Sequence, residues 1–379
     1  MLPIERAELY LVEIPLEIQW RISLYAASSR RHTFLRITGE GADGWGEASP
    51  APAFMGESAS TVYTSVKQHL LSTLVHARSI ADLHRRMDAV LPGNPAAKSV
   101  LDIAVFDWLA RRRNIPVYEL LGGRVRQRVP AMWVVGVKDP SAAINEIQKF
   151  RERGFTAFKL KLSGEPDRDL TIVDQVRKTF GSELTLRVDA NQAYRLHTAI
   201  RLFQRLDRYD LDAIEQPLPA NDLRGHAELR RYVSTPVMLD ESVKSPRDLL
   251  EAVRLNATDA VNIKVGKVGG LWSSLQIAAI ADAAGIAYTV GSNLELGVGI
   301  AASLHLALSL RQDPLPCDLY LGHPLHVADP VETPALLRNG FLEPLSGAGL
   351  AIILTPFEQL RKNHIRVIDR YATEIREAA

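Results

Sequence analysis

The hydrophobic pattern of the chain has two textures. Over residues 1–125, strands come first. Alternation over Ala7–Ile14 and over His32–Thr38 predicts two strands, and Trp45–Ala48 opens a third beyond the turn-rich stretch Gly39–Gly44. Helical spacing then runs through Ser58–Ser72, Ala81–Val90 and Lys98–Arg113, and Gly122-Gly123 marks a helix stop. Strands followed by helices predict an α+β unit.

From about Pro130 the texture changes to alternation of strand with helix. Apolar, β-branched runs fall at Ala131–Gly136, Ala157–Leu162, Leu184–Asp189, Ala213–Glu215, Val237–Asp240, Ala260–Val265 and Ala287–Gly291. Helical stretches separate them: Ser141–Arg153, Asp167–Phe180, Leu196–Leu206, Leu223–Tyr232, Ser245–Leu255 and Leu271–Ala284. The unit recurs about every 25 residues, which specifies a parallel sheet with helices outside. Seven or eight such units predict a barrel, with an open doubly wound sheet as the competitor. No G-x-G-x-x-G follows an early strand, which weakens the dinucleotide-binding version of that competitor. The stretch after Asp329 is rich in Pro and Gly and is expected to pack back on the first unit.

Composition narrows the function classes. The 379 residues suggest two domains, or one large domain with an attachment. Lys+Arg 45 against Asp+Glu 44 gives a net charge of +1, so neither a nucleic-acid footprint nor an acidic tail is present. The single cysteine, Cys317, has no intrachain disulfide partner and fits a reducing compartment. The opening residues carry Glu5, Glu8, Glu13 and Glu17, unlike a signal peptide, and no run of 18 apolar residues suggests a membrane span. The expectation is a cytoplasmic protein with no membrane and no nucleic-acid partner.

Candidate chemistry gathers where a parallel barrel places its active site, at the C-terminal strand ends. Read in order, those ends are Lys159-Leu-Lys161, Asp189-Ala-Asn191, Glu215-Gln-Pro217, Asp240-Glu241, Asn262-Ile-Lys264 and Gly291-Ser-Asn-Leu-Glu295. Charges in apolar strands are costly unless paired or ligated, and here they recur at one end of unit after unit. Asp189, Glu215 and Asp240 come from three successive strands and would repel without a cation. Oxygen donors without Cys or clustered His point to Mg²⁺ or Mn²⁺ rather than zinc. Lys159 and Lys161, two apart on one strand, share a face, and two neighbouring ammonium groups depress one another's pKa so that one can act as a base. Lys264, four strands on, could address the opposite face of a carbon placed between them.

This series resembles the enolase superfamily, in its muconate lactonizing enzyme subgroup. Leu101-Asp-Ile-Ala-Val-Phe-Asp-Trp108, running on to Leu120-Leu-Gly-Gly123, is similar to one family signature, and Ile263-Lys-Val-Gly-Lys-Val-Gly-Gly270 to another. The resemblance implies the fold class α/β: a (β/α)7β modified TIM barrel (126–344) with an α+β capping domain (1–125) that the C-terminal segment, about 345–379, joins. It implies Mg²⁺ (or Mn²⁺) on Asp189, Glu215 and Asp240, with Lys161 and Lys264 as acid/base groups on opposite faces and Lys159 beside Lys161. Asn191, Glu241 and Glu295 match supporting positions.

The activity implied is that of an isomerase working on a small-molecule carboxylate through a stabilised enolate. Muconate cycloisomerase-like chemistry leads. Racemisation or epimerisation of an acylamino acid or similar derivative, and an o-succinylbenzoate synthase-like dehydration, are the alternatives. A catalytically silent metal-binding barrel is the non-enzyme alternative. Asn293-Leu-Glu295 is similar to the Met-Leu-Glu of cycloisomerases and acylamino-acid racemases, with Asn in place of Met. Cys317-Asp-Leu-Tyr320 holds only half of the Asp-x-Asp of dipeptide epimerases. Substrate contacts are expected from the capping loops, at Trp20, Arg21, Tyr25, Phe54 and Met55, with Asn293 from the barrel. Arg21 either pairs with a second substrate carboxylate or is a solvated loop cation. Relatives of this kind form dimers or octamers, so a homo-oligomer is expected.

Overall fold

The computed structural model describes residues 2–319, 325–332, 337–355, 357 and 365–375. A long antiparallel hairpin, Arg6–Arg21 with Ala26–Gly39, opens the chain, and Ala42–Ala48 continues it. The third strand begins earlier than the expected Trp45. Glu40 and Gly41 form a two-residue turn with φ of 47° and 75°, so pairing resumes at once with Gly39 opposite Ala42. The helix Pro95–Arg112 lies directly on this third strand. Gly44 and Gly46 make that approach possible, since a Cβ on Gly46 would stand 1.9 Å from the Val100 carbonyl oxygen. Almost every residue of this helix is buried, which explains why its sequence reads apolar all round. The helix expected over Ser58–Ser72 is α-helical only for Ala59–Ser65 and continues as π and 3₁₀ turns to Leu74. There the Ser72 and Thr73 hydroxyls donate to the carbonyls of His69 and Leu70, competing with the regular ladder. A fourth strand, Arg366–Glu374, pairs antiparallel with the first, with Arg6 opposite Glu374.

Seven parallel strands form the second sheet: Met132–Val135, Ala157–Lys161, Thr185–Asp189, Ile214–Glu215, Val237–Leu239, Ala260–Ile263 and Ala287–Val290. They pair in chain order, and a helix separates each from the next. The eighth position is held by 315–318 with little regular strand. Leu315 N donates to Tyr288 O (2.9 Å) on one side, while Cys317 N donates to Pro130 O and Met132 N to Cys317 O (both 2.8 Å) on the other. These bonds close the curled sheet into the expected (β/α)7β barrel. No described helix is long and apolar enough to cross a membrane.

Candidate active site

Three neighbouring barrel strands end in Asp189, Glu215 and after Leu239 in Asp240, and all three carboxylates are buried. Their oxygens lie within 4.8 Å of one another. Burial raises the Glu215 pKa and the nearby Asp189, Asp240 and Asp318 add to the rise, whereas Lys159 opposes it. A hard, convergent and self-repelling oxygen set of this kind is suited to a divalent cation. Asn191 and Glu241 stand next to it. Asn191 N donates to Asp189 Oδ1 (2.8 Å) and its side-chain amide to Glu241 Oε1 (3.1 Å). Burial pushes Glu241 up to about 8, with Asp240 and Asp189 contributing.

The lysines grip this cluster from both sides. Lys161 Nζ lies 2.5 Å from Asp189 Oδ2, and Lys264 Nζ lies 2.5 Å from Asp240 Oδ2. Lys159 is wholly enclosed and bonds Glu215 Oε2 (3.0 Å) and Asp318 Oδ2 (3.1 Å). Neighbouring lysines were expected to depress one another, but Lys159 behaves otherwise. Burial alone would lower its pKa, yet Asp318, Glu215 and Asp189 together hold it above the ordinary value. Lys264 is likewise held high, by Asp240 and three other carboxylates, against the effect of its burial.

A small, open-mouthed cavity sits over the strand ends. Lys161, Lys264, Asn191, Asn293 and Asp318 line its floor and walls, and Trp20, Tyr25 and Phe54 descend from the cap. The Phe54 ring stands 5.7 Å from Lys264 Nζ. Arg21 is placed differently from the other cap candidates. It is exposed and lines an adjoining groove with Arg168 and Glu165 rather than the cavity. Met55 is buried beside the cavity, where its Sδ takes the Asn293 side-chain amide at 3.5 Å. Glu295 is buried next to Lys264 and Glu47. Burial first, then the Glu47 carboxylate, pushes its pKa up to about 7.

Several buried polar positions near the site had no role assigned from the sequence. Lys267 is fully buried and donates to Asp240 Oδ1 (2.8 Å) and Asn262 O (3.1 Å). Asn262 Nδ2 donates to Glu215 Oε1 (2.8 Å). Arg187 lies two residues before Asp189 on the same strand, buried within the barrel and bonded to Asp212. From the cap, Arg30 Nη2 donates to Ser49 O, Pro50 O and Asn293 O at 3.1–3.2 Å. Glu47 accepts from Leu296 N (2.7 Å) and Gly299 N (2.9 Å) and bonds His32 Nδ1 (2.9 Å). Asp318 lies in the Cys317-Asp-Leu-Tyr320 stretch already matched to half of an Asp-x-Asp, but its bond to Lys159 had no sequence signal. Arg30 and Glu47 carried no such signal, because they read as ordinary members of an alternating strand.

Comparison with known proteins agrees with this geometry. Residues 6–122 match the mandelate racemase / muconate lactonizing enzyme N-terminal domain, and residues 142–357 match the enolase C-terminal domain-like family. The N-succinylamino acid racemase of Thermus thermophilus is 35% identical over 93% of this chain and 95% of its own. The crystal structure of the muconate lactonizing enzyme from Pseudomonas fluorescens complexed with muconolactone is 31% identical, with a TM-score of 0.89, covering 95% of this chain and 99% of its own. That of the dipeptide epimerase from Cytophaga hutchinsonii, complexed with Mg and the dipeptide D-Ala-L-Val, is 26% identical with a TM-score of 0.88, covering 98% of this chain and 99% of its own. Matching domains over most of the chain, with the acidic triad and its lysines inside the second of them, make this protein a member of the mandelate racemase / muconate lactonizing enzyme family of the enolase superfamily, and an isomerase.

Proposed function

We propose that this isomerase racemises or epimerises an N-acylated amino acid by moving the proton on the carbon next to its carboxylate. The supporting observation is the placement of Lys161 and Lys264, which line one cavity and each bond a different end of the acidic triad. Asp189, Glu215 and Asp240 would hold Mg²⁺ (or Mn²⁺), and a bound cation of this type supplies Lewis-acid stabilisation of the charge that develops on the substrate carboxylate. Lys159, held protonated by its carboxylates, adds a fixed positive charge on the same side. Lys161 removes the proton from one face of the carbon and Lys264 returns one to the other face, and the pair exchange roles in the reverse direction. Trp20, Tyr25 and Phe54 shield the carbon from bulk water.

Cycloisomerisation of a muconate is the second reading, favoured by the Leu294-Glu295 resemblance. It has less support from the cap, since Arg21, its expected partner for a second carboxylate, lies outside the cavity lining. The test is incubation in D₂O with Mg²⁺ and either N-acylamino acids or cis,cis-muconate. Deuterium at the α-carbon with loss of optical rotation is expected. Lactone from muconate without exchange of any acylamino acid would overturn the proposal. A homo-oligomer in the cytoplasm belongs to the same proposal, on the near-neutral charge and the buried Cys317 thiol, and sedimentation checks the assembly.

A further inference from the structure

Asn293 stands where the resembling enzymes carry Met, and the structure gives each of its polar atoms but one a partner. Its backbone N donates to Glu295 Oε2 (2.5 Å). Its backbone O accepts from Arg30 Nη2 (3.1 Å) and Ser49 Oγ (2.9 Å), both from the cap. Its side-chain nitrogen rests on Met55 Sδ (3.5 Å). A thioether sulfur only accepts, so the amide presents its NH₂ to Met55 and turns its oxygen the other way. That oxygen, Oδ1, is buried and has no hydrogen-bond partner among the described residues. The residue is 6% exposed and lines the cavity that Lys161 and Lys264 line. Leaving a buried acceptor unmade is costly, and the cost is recovered when a donor arrives.

We infer that Asn293 Oδ1 is the specificity determinant of the cavity, accepting a hydrogen bond from an amide N–H carried by the substrate's reacting carbon. The inference rests on the proton-transfer reading above and sharpens it. The substrate class is a 2-acylamino carboxylate, whether an N-acylamino acid or a dipeptide. A muconate, with acceptors only, offers this oxygen nothing. The tethering of Asn293 by Arg30, Ser49, Glu295 and Met55 fixes the oxygen before substrate enters, as a reading group requires. A site built to bond an N–H discriminates against an analogue lacking it, because the site's own polar atom is then left unpaired.

The experiment compares two probes, N-acetyl-phenylalanine and its ester analogue, in which oxygen replaces the amide N–H. Deuterium exchange at the α-carbon is followed with Mg²⁺ in D₂O. The wild-type enzyme is expected to favour the amide by about tenfold or more in kcat/KM. In Asn293→Leu, exchange of the amide should fall by far more than exchange of the ester, largely in KM, so that the preference between the two probes closes. Asn293→Ala provides the same comparison should Leu disturb the Met55 contact. Equal wild-type efficiency on the two probes, or a preference that survives both substitutions, overturns this inference alone. Wild-type exchange of neither probe overturns the proton-transfer reading, and this inference with it.

Discussion

The floor and the roof of the cavity are built on different principles. On the floor, charged groups hold one another across the barrel: Lys159 bonds Glu215 and Asp318, Lys161 bonds Asp189, and Lys264 and Lys267 bond Asp240, while the neutral Asn191 amide donates to Glu241. The sheet fixes their backbone and low exposure fixes their electrostatics, so the floor is rigid and highly polar. The roof is apolar. It hangs from the long hairpin and the residues around Phe54, and its ties to the barrel include Ser23 Oγ to Ala190 O (3.2 Å), Lys244 Nζ to Phe54 O (2.6 Å), the Arg30 and Ser49 bonds to Asn293 O, and the Glu47 bonds to Leu296 N and Gly299 N. A cross-linked polar floor can serve one chemical step for many substrates, while the apolar side chains of the roof set the shape that chooses among them. Residues on the floor should therefore govern turnover, and residues on the roof should govern KM.

The largest effect expected is on the floor. Asp240→Asn should reduce turnover by about a thousandfold or more and weaken Mg²⁺ binding, measured by calorimetry, since it removes one ligand charge and the partner of two lysines. Unchanged activity after chelation would break the contrast at its base. Next, Lys161→Ala and Lys264→Ala should each cost about 10²–10⁴-fold in racemisation. Each variant should still exchange the enantiomer served by the remaining lysine, which chiral chromatography in D₂O resolves. Loss of exchange with both enantiomers in either variant would speak for a one-face reaction.

On the roof, Arg30→Ala should lower stability by about 2 kcal/mol, because it leaves the Asn293 and Pro50 carbonyls without this buried donor. It should raise KM more than it lowers kcat, and equal loss in both would place the roof within the chemistry. A smaller effect concerns pH. The buried carboxyls of Glu47 and Glu295 are both pushed up to about 7 from 4.5. Between about pH 4.5 and 7 the folded chain then holds protons that the unfolded chain has released. Stability from these groups is complete below 4.5 and declines as pH rises to 7. Denaturation of Glu295→Gln across that range should show a shallower decline than wild type. Smallest of all, Arg21→Ala should change kcat/KM for an acylamino acid by less than about twofold, as expected of a side chain beside an adjoining groove. A large loss there would return a second substrate carboxylate to consideration.

The floor was readable from sequence because it breaks a rule. Asp189, Glu215, Asp240 and the lysines interrupt apolar strands, and an interruption repeated at one end of each unit has few physical explanations. The helices were readable for a similar reason, with Leu196–Leu206 and Leu271–Ala284 ending where the pattern predicted. The roof broke no rule. Arg30, Glu47 and Ser49 lie in or just beyond strands whose alternation accommodates polar residues, and what sets them apart is contact with residues more than 240 positions away. Arg21 misled in the opposite direction: a loop cation suits an anionic substrate by charge, but its direction depends on how the hairpin bends. Lys267 lay within a motif already noted, yet the turn that folds it back onto Asp240 shows only in three dimensions.

The pairing of Arg6 with Glu374 bears on how the chain is made. On the ribosome, the first strand emerges early and its partner Arg366–Glu374 is synthesised after the entire barrel. Until then the outer edge of the first strand exposes unsatisfied backbone groups, an invitation to pair with another nascent chain. The charged side chains Arg6, Glu8 and Glu13 along that strand would act as gatekeepers during the wait. A truncation removing only Arg366–Glu374 would leave the catalytic groups in place, and its foreseeable defect is aggregation during synthesis.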